Sequence, residues 1–158
     1  MAFTVVRFDL VEPDATPVSL SARYRAAPEM AVYADAHGVD TVQTEEHHGV
    51  ANSWLPSPFT LAGAVFGATR RIAVTVSAII GPLHDPLRLA EDIAVLDLLS
   101  AGRLVTVAGL REEGVYRIVT PEEPAGLGAE GLVLHPLCGG MPVEEGWRSL
   151  RVFCGAIA

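Results

Sequence analysis

Short apolar runs alternate along this chain with longer stretches in which apolar residues recur every three or four positions, the patterns of buried strands and one-sided helices. Residues 5–10 predict a first strand, stopped by Glu12-Pro13-Asp14. Pro17 keeps the connection irregular, and Ser19 or Ser21 then caps a helix reaching Ala36, where Tyr24, Ala27, Met30, Ala31 and Ala34 share a face and His37-Gly38 supplies the stop. Residues 39–43 predict a second strand. Pro56-Ser57-Pro58 opens a second helix with a small apolar face, and residues 72–80 form a nearly continuous apolar run, as in a parallel strand covered on both sides. Asp85 as cap and Pro86 at the first helical position start a third helix ending at Ala101-Gly102, and residues 104–108 read as strand four. This order of strand, loop, helix and strand calls for parallel strands with helical crossovers.

The rhythm fails after Gly109. Residues 111–131 contain Gly114, Pro121, Pro124, Gly126, Gly128 and Gly131, too many breakers for a crossover helix, and the helix start at Thr120-Pro121-Glu122-Glu123 is cut short by Pro124. Order returns with a strand over residues 131–135, a loop, and a closing amphipathic helix over residues 142–153.

A chain of 158 residues with half its positions hydrophobic suits one domain with a real core. Its net charge of -8, without a Lys/Arg cluster, makes nucleic acid and anionic membranes poor partners. No apolar run reaches the roughly 20 residues a spanning helix needs, and residues 1–9 read as a first strand and not a signal peptide, so a cytoplasmic location is expected. Cys138 and Cys154 fit neither a disulfide framework nor zinc-ligand spacing and read as reduced packing thiols.

The chemistry concentrates at the end of strand two, in Thr44-Glu45-Glu46-His47-His48-Gly49. Two imidazoles beside two carboxylates are costly to bury without partners, and strand ends are where alternating β/α folds build sites. His84 and Asp85 read as helix-capping residues, and Arg88, Glu91 and Asp92 as a structural charge cluster to which Arg103 pairs.

These residues, with Leu55-Pro-Ser-Pro58, the block from Ser77 to Asp92 and Leu96-Asp-Leu-Leu-Ser-Ala-Gly-Arg103, resemble the luciferase-like monooxygenases, flavin- or F420-dependent oxidoreductases built on a (β/α)8 barrel. The segment from Leu132 to Gly140 and the helix around Trp147 look like that family's last strand and closing helix. The resemblance implies an α/β fold, a partial (β/α)8 TIM barrel of the bacterial luciferase-like type with about five parallel strands. A typical barrel takes about 250 residues, and strands five to seven have no counterpart here. The chain then divides into an N-terminal half-barrel (residues 1–110), an irregular junction (111–130, with the deletion between Glu113 and Thr120) and the last strand with its closing helix (131–158).

By the same resemblance His47 and His48 are the catalytic candidates, His47 as proton donor and acceptor, a task for which an unperturbed pKa near 6.5 suits a histidine. Glu46, Ser77, Ala78 and Gly109 are implied to contact the cofactor, reduced FMN or F420, with a bulged, sometimes cis, backbone at Ser77-Ala78-Ile79. Leu110 and Arg111 depart from the family pattern, and His135-Pro136 ends the last strand at the mouth. The expected partner is a small-molecule substrate, without nucleic acid or membrane, and a partial barrel with open strand edges is expected to form a homo-oligomer. Two other readings compete. One is an inactive truncated member that serves as an oligomerising module. The other is a metal-dependent hydrolase using His47, His48, His84 and His135 with Glu46, disfavoured because adjacent histidines rarely ligate one metal.

Overall fold

The computed structural model describes residues 3–112, 115–119 and 131–157. Five strands run parallel, in the order β4 (Leu104–Glu112), β3 (Ala73–Ile80), β2 (Thr41–Thr44), β1 (Phe3–Phe8) and β6 (Gly131–Leu134). The sixth strand, β5 (Val115–Val119), lies outside β4 and is antiparallel to it. Four helices accompany the sheet: α1 (Pro17–Ala36), α2 (Pro58–Ala68), α3 (Pro86–Ser100) and α4 (Val143–Ile157). The strands therefore follow the alternation, with β6 beside β1 as the last strand of a closing barrel would be.

Over residues 111–112 and 115–119 a strand pair replaces the start of the irregular junction expected over residues 111–130. Arg111 and Glu112 belong to β4 and not to a loop, and residues 115–119 pair back on it. An antiparallel return needs only a tight turn, where a parallel one needs a crossover of a dozen or more residues. The short helix expected at Thr120-Pro121-Glu122-Glu123 lies outside the described residues.

Side chains alternate across the sheet. Val6, Phe8, Leu10, Val42 and Val74 pack against Ala26, Ala27, Met30, Ala31 and Ala34 of α1 and Leu61, Ala62, Val65 and Phe66 of α2. The alanines let the helices approach the strands closely, and the buried apolar surface drives that contact. On the opposite face Arg7, Gln43, Thr75 and Val105 stand side by side in register. Val105 and Val133 on that face are about half exposed, at 48% and 51%.

Local chemistry sets the ends of the elements. Thr16 caps α1: its hydroxyl accepts from the Ser19 N–H, the Ser19 side chain accepts from the Thr16 N–H, and Pro17 takes the first helical position. The helix thus begins earlier than a Ser19 or Ser21 cap predicts, because Pro17 lacks only a hydrogen bond that no first-turn residue makes. Asp85 caps α3 through the Arg88 N–H. Arg88 pairs with Asp92, whereas Arg103 turns away from that cluster, donating to Thr69 Oγ1 and the Ser100 and Ile72 carbonyls and lying over the Phe66 ring. Its fork finds more acceptors at the strand entrance than an exposed helix face offers.

Two contacts fasten the C-terminal unit. The buried Arg23 of α1 pairs with Glu12 at 2.7 Å and donates to the Leu137 and Met141 carbonyls at 3.0 and 2.7 Å. On α4, a Cβ at Gly146 would stand 2.2 Å from the Pro136 carbonyl oxygen, so glycine lets the helix close on the loop after β6.

Candidate functional site

The sequence-predicted residues sit where parallel strands deliver their C-terminal ends. β2 stops at Thr44, and the next residues fold over the end of β1: the His47 N–H donates to the Leu55 carbonyl, the Leu55 N–H to the Asp9 carbonyl, and the Glu12 N–H to the Asn52 carbonyl. Gly49 (φ 66°) and Ser53 (φ 58°) take the left-handed conformation that this turn-back requires.

Within the loop the two histidines part company. His47 stacks on Trp54, ring centroids 3.7 Å apart, with Nε2 3.3 Å from Glu45. Glu45 also pairs with Arg7 from β1. Burial and the nearby Arg7 guanidinium both hold the His47 imidazole below its usual pKa, outweighing Asp9 and Glu46, so the ring is neutral at pH 7. Burial and Arg7 act in the same direction on His135 at the end of β6, against Asp9.

His48 turns instead to Glu46, whose side chain is 1% exposed. Glu46 Oε1 accepts from His48 Nε2 at 2.7 Å and from His84 Nε2 at 2.9 Å, while Oε2 accepts from the Ile80 N–H at 2.6 Å. Burial alone pushes this carboxyl up; the hydrogen bonds from His48, Ile80 and His84 outweigh it and hold it below the ordinary range. Glu46 is thus an ionised acceptor on which three donors converge.

Ile80 closes β3, two residues beyond a bulge between Ser77 and Ile79 that contains a cis Ser77-Ala78 peptide, the backbone form the family resemblance implies. Gly109 of β4 is the register partner of Ile80. Glu46, His48, Ala78 and Gly109 therefore gather at the ends of three neighbouring strands, joined by His84, which capping had been expected to explain. Asp85 alone caps; His84 follows a tight 3₁₀ turn over Gly81–Leu83 and reaches the carboxylate. No short-range signal marks that partnership, since the residues lie 38 positions apart.

A cleft of about 290 Å³ opens on the other side of His47, lined by Leu20, Tyr24, Val50, Ser53, Trp54 and Pro56 among others. It takes in His47 but not Glu46, Ser77, Ala78 or Gly109. Among the described residues no His, Cys, Asp and Glu group is arranged to hold a metal ion, and no helix is long and apolar enough to cross a membrane.

Comparison with known proteins shows what the chain as a whole is similar to. Over 66 residues the chain is 39% identical to the alkanal monooxygenase alpha chain of Photorhabdus laumondii, a stretch that is 42% of this chain and 18% of that one. A monooxygenase from Streptomyces bottropensis superposes with a TM-score of 0.57 at 32% identity, over 66% of this chain and 31% of its own. The oxygenating constituent of 3,6-diketocamphane monooxygenase from Pseudomonas putida, in complex with FMN, shares the fold with a TM-score of 0.60 at 24% identity, over 69% of this chain and 30% of its own. The chain thus spans under a third of the length of each of these proteins. The family model described as luciferase-like monooxygenase matches residues 3–115, and the chain belongs to that family.

Proposed function

We propose that the chain is a flavin-dependent oxidoreductase of the monooxygenase type, acting on a small molecule with reduced FMN or F420 at the C-terminal ends of β2, β3 and β4. The observation that carries this reading is the Glu46 carboxylate, which draws His48 and the Ile80 N–H together beside the Ser77–Ile79 bulge and level with Gly109. A flat ring at these strand ends would meet small residues, Ala78 and Gly109, with the Ser77 hydroxyl and an imidazole as its polar partners.

The fit covers the ring end of the cofactor. Barrels of this kind often bind phosphate after strands seven and eight, but in the loop after β6 the Gly140 N–H already donates to the Val11 carbonyl. Arg7, at the strand ends, is paired with Glu45. Both groups are therefore already engaged within the chain, and the proposal concerns the ring end of the cofactor.

When bound, the flavin supplies hydride or oxygen chemistry. The protein's part is to orient and to move protons. His47, neutral at pH 7 and held by the Trp54 stack, accepts a proton from a group at the mouth and returns it, a service typically worth about 10² to 10⁴ in rate. Glu46 holds His48 on a fixed Nε2–H bond, so that its Nδ1 is a positioned acceptor. Among the described residues, the half-exposed Val105 and Val133 and the outer strands β5 and β6 support a homo-oligomer.

Titration of the purified chain with FMN and with F420 in separate arms, followed by fluorescence, tests the reading. Saturable binding of one cofactor, weakened about tenfold (about 1.4 kcal/mol) in Glu46→Gln, is the expected result. Absence of binding by both at about 50 µM refutes it for this chain.

A further inference from the structure

We propose that His84 is a positioning residue of the candidate site: it shares the buried Glu46 carboxylate with His48, so that both imidazoles are held as Nε2–H tautomers and each keeps Nδ1 as its acceptor toward a ligand. The inference deepens the functional reading above and rests on it only for where a ligand would lie. The pairing itself is a property of the free protein.

The geometry begins with Glu46. Its carboxylate is closed off from water and ionised, and an ionised carboxylate can only accept hydrogen bonds. Nε2 of His48 at 2.7 Å and Nε2 of His84 at 2.9 and 3.1 Å must both carry hydrogen. That assignment leaves Nδ1 as the acceptor atom of each neutral ring. His84 is fixed from behind, because its own N–H closes the 3₁₀ turn on the Gly81 carbonyl and the next residue, Asp85, is committed to capping α3. With the Ile80 N–H on the second oxygen, the loop after β2 is latched to the end of β3 at Ile80 and to the segment beyond it at His84.

Sharing has a consequence for geometry. With both Nε2–H groups turned onto one carboxylate, Nδ1 of each ring lies on the side away from it. His48 is 43% and His84 27% exposed, so both rings reach solvent while the carboxylate does not.

Nitrogen-15 NMR of the histidine side chains in the full chain, without cofactor, reads the pair directly. The wild-type protein is expected to show His48 and His84 both as Nε2–H tautomers, with Nε2 protons slow to exchange with water. In His84→Gln, whose amide replaces the lost donor, His48 keeps its Nε2–H form. In Glu46→Gln, whose amide no longer demands two donors, at least one ring goes over in part to the Nδ1–H form. An Nδ1–H tautomer at either ring in the wild type overturns the proposal, as do tautomers and exchange rates left unchanged by Glu46→Gln. Because no cofactor enters the measurement, failure of the flavin titration and failure of this pairing are separate results.

Discussion

A buried carboxylate is stable only while its partners are in place, and Glu46 states the condition sharply, with one backbone and two imidazole donors on a side chain removed from water. Glu46→Ala strands those donors and is expected to cost about 2–3 kcal/mol at pH 7, measured by urea unfolding; an unchanged midpoint would show the network to be idle. Since its folded-state pKa lies below the ordinary 4.5, Glu46 contributes stability that is present above that value and lost as pH falls through the lower folded pKa. Asp35, lowered against its burial by the Arg70, Arg71 and Ile72 N–H groups, acts with the same sign from its ordinary 3.8. Glu46→Gln should therefore flatten the acid limb of stability and leave the most acidic points unmoved. His47 runs the other way: its depressed pKa makes protonation favour the unfolded chain as pH falls below 6.5. Its NMR midpoint is expected below 6.5, and Arg7→Met should raise it by removing a cation and freeing Glu45; a midpoint that stays put would mean burial alone sets it. The Glu46-His47-His48 run was legible because four titratable groups crowd one strand end. His84 was not, because its neighbours Asp85 and Pro86 advertise a helix cap and its real partner lies on another loop.

At the level of elements, repetition made the first four strands and three helices readable, and errors fell at ends where a cap or a proline acts locally, as at Thr16 and Pro17. The hairpin escaped because breakers argue only against helix. Gly114 ends a helix as readily as it permits a turn, and Val115-Tyr116-Arg117-Ile118-Val119 carries the β-branched and aromatic composition of a strand. What joins the C-terminal unit to the rest was equally invisible, since Arg23 reaches Leu137 and Met141 more than a hundred positions away. Two substitutions test that junction. Gly146→Ala sets a methyl 2.2 Å from the Pro136 carbonyl and should cost about 1–3 kcal/mol as α4 is pushed outward. Arg23→Met removes the buried partner of Glu12 and two carbonyl bonds, with an expected loss of about 3–5 kcal/mol. Wild-type stability in both would mean that α4 is not docked as described.

For the whole molecule, the decisive feature is a sheet that follows barrel order yet ends at β5 on one side and β6 on the other among the described residues. In a closed barrel the face opposite the helices is filled by side chains from every strand. Here that face carries the half-exposed Val105 and Val133, with Phe3 at 49% exposure on β1 beside β6. Outer strand edges and exposed apolar side chains both invite a second chain. If the homo-oligomer forms through this face, light scattering at about 50 µM should give a mass of at least twice the 16.7 kDa of one chain, and dilution should lower it by mass action. Val105→Lys with Val133→Lys should return the monomer, because two ammonium groups would have to be buried, whereas in the folded single chain these positions are already open to water. Retention of the oligomer in the double variant would move the interface away from the inner face. A wild-type monomer would remove the oligomer altogether, and with it any account in which a second chain covers the open half of the sheet.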